Sequence, residues 1–99
     1  MARDEIEIAR QEGTEFRSVR LGLGDDGAIQ MAAQDIGPMV AAVVGDDEYE
    51  FWVRIEAPAL AKLAFELLRE KFTGELRAVN TFREWCKTHG VEHEFASYS

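Results

Sequence analysis

Asp46, Asp47, Glu48 and Glu50 place four carboxylates within five residues, and Trp52 follows two positions later. Carboxylates at this density can coordinate a hard cation, or meet the lysine and arginine side chains of a basic partner. The twelve-residue ligand order of an EF-hand loop is missing, so a solvated acidic turn is the simpler reading. Further on, Cys86, His89 and His93 form C-x-x-H-x-x-x-H, and thiolate and imidazole are zinc ligands. Gly90 breaks the helical register between the two histidines, however, and Cys86 falls on an apolar stripe beside Trp85, where a buried thiol is ordinary. Gly22, Gly24 and Gly27 match G-x-G-x-x-G. That fingerprint binds pyrophosphate only where a helix begins inside it. Here a second strand pattern follows, and Asp25 and Asp26 would repel phosphate, so the stretch predicts a hairpin. Neither histidine has a serine or cysteine partner at a spacing that suggests a nucleophile. No catalytic residue, metal ligand or cofactor is assigned from these patterns.

The charge distribution narrows the choice further. Ninety-nine residues carry a net charge of −8. Residues 1–56 hold thirteen acids against five bases, while residues 57–99 hold six of each. Direct nucleic-acid binding is disfavoured, because a phosphate partner requires a basic patch. A basic protein partner is compatible with the acidic half, although negative charge also serves solubility alone. The longest apolar run, Met39 to Val44, is too short to span a bilayer. The first ten residues lack the apolar core of a secretory signal, and a single cysteine allows no internal disulfide. Together these features predict a cytoplasmic, single-domain protein covering residues 1–99.

The elements that must position these groups follow from hydrophobic period. Ile6 and Ile8 alternate with Glu5 and Glu7, a short half-buried strand. Val19, Leu21 and Leu23 share one face of a second strand, opposite Ser18, Arg20 and Gly22. After the Asp-Gly turn, Ile29, Met31 and Ala33 point the same way in a third. Pro38 and its neighbouring glycine interrupt the pattern, so residues 38–44 are either a short strand or a helical turn. Glu48 to Glu56 alternates strictly: Tyr49, Phe51, Val53 and Ile55 on one face, Glu50, Trp52, Arg54 and Glu56 on the other. The period then becomes 3.6, with Leu60, Leu63, Ala64, Leu67, Leu68 and Phe72 on one stripe from Pro58 to Gly74. Thr81-x-x-Glu84 has capping-box spacing for a second helix that ends at Gly90. Val91, His93 and Phe95 alternate as a last strand. The expected fold class is α+β: an antiparallel sheet of about four to five strands with two helices packed on one face, in the sequence order βββ(β)βααβ.

This phase puts an indole on the solvated side of the sheet. Trp52, with Glu50, Arg54 and Glu56 around it and Asp46, Asp47 and Glu48 leading in, is the expected partner-binding surface, since aromatic residues and arginine dominate interface hot spots. The first functional expectation is a non-enzymatic acidic interaction or adaptor protein, of the immunity or inhibitor type, that contacts a basic partner. The alternative is a small enzyme or ligand- or metal-binding domain using Asp35, Asp46, Asp47 and Glu50. A homodimer that buries Trp52 between two sheets is the third.

The stretches QDIGP, GDDEYEFW, LLREKF, FREWCKTHGV and EFASYS resemble a family of small, acidic, single-domain bacterial proteins of uncharacterised function. The resemblance covers most of residues 20–99 and rests chiefly on the D-x-G turn, the acidic turn and the E-Y-E strand. It implies a stand-alone bacterial protein, and it brings no catalytic residue, cofactor or substrate.

Overall fold

A computed structural model describes residues 2–45 and 47–98. Four strands, β1 (Ala2–Gln11), β2 (Phe16–Gly24), β3 (Ile29–Ile36) and β4 (Glu48–Ile55), form one antiparallel sheet in the order β1-β2-β3-β4. Three α-helices occur among the described residues: α1 (Pro38–Val44) between β3 and β4, then α2 (Leu60–Phe72) and α3 (Ala78–Thr88). The protein is α+β, a four-stranded antiparallel sheet followed by helices. It divides into two compact units, residues 1–63 and 64–99.

In the sheet unit, register decides which side chains meet. Ile6, Leu21, Met31 and Val53 are successive cross-strand partners, as are Ala9, Val19, Ala33 and Phe51 in the next row. Between these rows lies the opposite face, where Glu7, Arg20, Ala32 and Trp52 line up. Because side chains alternate along a strand, one register fixes both faces at once. β1 carries two register shifts, between Ala2 and Asp4 and between Glu7 and Ala9. Such bulges twist an edge strand away from foreign pairing.

The turns follow local chemistry. Gly27 has φ of 81° and donates its N–H to the carbonyl of Gly24 at 3.0 Å, while Asp26 accepts the N–H of Ala28 at 3.1 Å. The GLGDDG stretch is thus a hairpin, as its Asp-Gly step predicts. Residues 38–44, left open between strand and helix, are helical: Pro38 stands in the first turn and Gly45, at φ of 87°, closes the end. Glu15 supplies what the short helix lacks at its start, accepting the N–H of Met39 at 2.9 Å.

Two expectations are corrected in the helical unit. Residues 91–98 contain no strand. The alternation of Val91, His93 and Phe95 is there, but a strand also needs a ladder partner. This segment's groups turn to neighbours close in sequence: Val91 donates its N–H to the Cys86 carbonyl at 2.9 Å, a ring nitrogen of His93 meets the Val91 carbonyl at 2.8 Å, and the Arg83 guanidinium lies 3.9 Å from the Phe95 ring centre. Thr81 is also not the cap of α3. The helix starts one turn earlier, and the Thr81 N–H is already bonded to the Arg77 carbonyl at 3.0 Å. Phe72 and Phe82 approach with ring centres 5.8 Å apart, and Cys86 is buried.

Candidate functional site

Trp52 stands near the middle of β4 on the polar face, 59% exposed. Its cross-strand neighbour is Ala32, too small to cover an indole ring, and beyond Ala32 comes Arg20. Among the described residues, none of α1 lines the groove beside it. That groove, about 360 Å³, is walled by Trp52 and Glu50 on one side and by Arg20 and Glu5 on the other, with Ala32 and Gln34 between. A second depression of about 370 Å³ continues it towards the hairpin, over Gly22, Ala28 and Gln30 to Arg54 and Asp26. Small residues at the central strand positions make the floor, so the face is a shallow trough rather than a flat sheet.

Its charges are unevenly satisfied. Arg20 pairs with Glu5 at 3.2 Å, and Arg54 is held between Asp26 at 2.5 Å and Glu56 at 2.9 Å. Arg10 lies 3.1 Å from Glu7 and 3.3 Å from Glu12. Gln34 donates to Glu48. Glu50, next to the indole along the strand, has no hydrogen-bond or ion-pair partner among the described residues. Among the described residues, the polar face's arginines Arg10, Arg20 and Arg54 are all engaged, while the Glu50 carboxylate beside the exposed ring has no partner.

The interior of the face is firmly built. Ser18 is 2% exposed and donates its hydroxyl to Glu7. That bond, helped by Arg10, holds the Glu7 carboxyl below the usual carboxylate range. The Ala28 N–H does the same for Asp26, with Arg54 adding to it.

The sequence-predicted contact residues are placed as follows. Glu48, Glu50, Trp52 and Arg54 share the polar face of β4. Glu56 follows the strand and is tied to Arg54. Asp47 is exposed, and its carbonyl accepts the Gly37 N–H at 3.1 Å, closing the loop around α1. Asp46 lies outside the described residues. The described carboxylates of the ligand-binding alternative do not converge: Asp35 and Glu50 point to opposite faces of the sheet. Asp35 lies on the apolar side, locked to Arg17 by two bonds of 2.5 and 2.6 Å that hold its carboxyl below the usual range. Glu50 lies on the other side. Among the described residues no three His, Cys, Asp or Glu side chains converge as a metal-binding group. His89 stacks on Trp85 at 4.1 Å, and its ring nitrogen meets the Trp85 carbonyl at 2.9 Å.

Alternation places Ser18, Arg20 and Gln30 on the same side of the sheet as Trp52, but sequence reasoning does not bring Glu5 to it as a wall of the trough. Only register shows which of them stand opposite Trp52. No family model matches the chain, and no curated protein or solved structure matches it. No described helix is long and apolar enough to cross a membrane.

Proposed function

We propose that the chain is a non-enzymatic interaction protein of the cytoplasm, whose polar sheet face binds a basic protein partner through Trp52 and Glu50. One observation carries the reading: Trp52, 59% exposed, stands beside the Glu50 carboxylate, which has no partner among the described residues, in a trough whose described arginines Arg20 and Arg54 are already paired. A lysine or arginine side chain laid over the indole gains a cation–π contact, and its charge meets Glu50. The surrounding acids then act at longer range by steering a positively charged partner. An inhibitor or immunity-type protein that blocks a basic enzyme would use such a face. The metal- or ligand-binding alternative has less support, since Asp35 and Glu50 stand on opposite sides of the sheet.

The test is a fluorescence titration with an arginine-rich peptide, followed in a Trp85→Phe background so that Trp52 is the reporter. Quenching of Trp52 that saturates at low salt and weakens strongly as salt rises supports the reading. No saturable change, or an equal response to an acidic peptide of the same length, refutes it.

A further inference from the structure

The two depressions of the polar face share Glu5, Arg20, Gln30 and Ala32, so they form one channel along β3, lined wholly from the sheet unit. Its charged groups are ordered along its length. Arg20 and Arg54, opposite Ala32 and Gln30, are paired with acids. Glu50 stands at one end, opposite Gln34. At the other end Asp25 of the hairpin lines the channel, and like Glu50 it has no hydrogen-bond or ion-pair partner among the described residues. Between the two ends the side-chain amide of Gln30 is also without a partner among the described residues. We propose that the channel binds an extended peptide segment of the partner with two basic side chains six residues apart, one on Trp52 and Glu50, the other on Asp25. The inference rests on Trp52 and Glu50 being a site for a basic partner, and adds the partner's conformation and the spacing of its charges.

Geometry sets both. β2 and β4 flank β3, so the walls stand two strand spacings apart, about 9.6 Å. That width takes one extended chain, whereas a helix with its side chains is about 10–12 Å across. Ala28, whose carbonyl accepts the Gly24 N–H at the base of the hairpin, lies six residues before Gln34, about 20 Å at ~3.3 Å per residue. An extended peptide covers the same length in six residues, and an even number returns its second side chain to the same side. Charge favours the ends. In the middle, arginine and acid cancel in pairs, so a partner's cations gain most at the two unpaired carboxylates. Midway, Gln30 offers both donors and an acceptor to a peptide main chain. A polyamine of the same reach would leave the Gln30 N–H groups without an acceptor, which a peptide carbonyl supplies.

Two Gly/Ser peptides of equal length and composition test the spacing, each with two arginines, six residues apart in one and adjacent in the other. Both are titrated at low salt against the whole chain carrying Trp85→Phe, with Trp52 fluorescence as the signal. The separated pair is expected to bind about 3- to 5-fold more tightly, the upper range for one exposed ion pair. Asp25→Asn keeps a residue that suits the turn and is expected to bring the ratio of the two Kd values to about one. The ratio is the readout because the general loss of one charge affects both peptides alike. Equal affinities in the parent protein, or a ratio that Asp25→Asn leaves unchanged, overturn the two-point channel while leaving the Trp52 site standing. No saturable response of Trp52 to either peptide removes the site itself, and the channel with it.

Discussion

Replacing Trp52 with alanine separates the ring's role in binding from its role in folding. The ring is 59% exposed and therefore 41% covered by its own fold. A tryptophan presents at most about 250 Å², so roughly 150 Å² is available to a partner and roughly 100 Å² is already buried. At about 25 cal/mol per Å², complete coverage by a partner would be worth at most ~3.7 kcal/mol. Association recovers only part of such area, because ordering and imperfect desolvation oppose it. About 2 kcal/mol is the expected loss, close to a thirtyfold rise in Kd for the arginine-rich peptide. The folding cost has a ceiling of ~2.5 kcal/mol by the same arithmetic, reduced to about 1–2 kcal/mol because alanine keeps some contacts and unfolded chains are already compact. In a chain of this length that lowers Tm by roughly 5–15 °C. Binding of Trp52→Ala is measured by calorimetry, at a temperature where urea titration shows both proteins folded. A Kd within twofold of the parent protein, with the fold intact, would refute the assignment of Trp52 as anchor.

Further outcomes are expected from other parts of the structure. Glu7, Asp26 and Asp35 hold protons less tightly folded than unfolded. Between their lowered values and the ordinary carboxylate range near about 4, the unfolded chain binds more protons. Their contribution to stability is thus complete above that range and is lost as pH falls through the folded values. Asp35→Asn should flatten the acid limb of a plot of urea midpoint against pH, and an unchanged limb would contradict the Arg17–Asp35 account. Gly37 has φ of 152°, and a Cβ there would run into the Glu15 carboxylate and come within 2.9 Å of the Thr14 carbonyl. Gly37→Ala should cost about 2 kcal/mol or more in chemical denaturation, and a loss under about 0.5 kcal/mol would remove the argument. Cys86, 3% exposed, should react with a thiol reagent far more slowly in native protein than in urea; equal rates would place it at the surface.

By itself the sequence determined the period of each element and hence its sides. Strict alternation from Glu48 to Glu56 was enough to separate Trp52 from Phe51 and Val53, because a strand has only two faces. The Asp-Gly hairpin was equally legible, since the φ above zero that such a turn needs is a local property of glycine. Non-local partnership was not in the sequence. Val91, His93 and Phe95 alternate like a strand, yet their segment has no ladder partner. The 38–44 stretch has the composition of a strand and becomes a helix, with Gly37 and Gly45 at its ends and Glu15, far off in sequence, at its first turn. Register, too, was decided only in three dimensions. Hydrogen bonds between strands brought Ala32 and Arg20 opposite the indole, buried Ser18 against Glu7, and set Asp35 with Arg17 on the side away from Glu50. Period is written into neighbouring residues, whereas pairing depends on the free energy of groups that meet only when the chain folds.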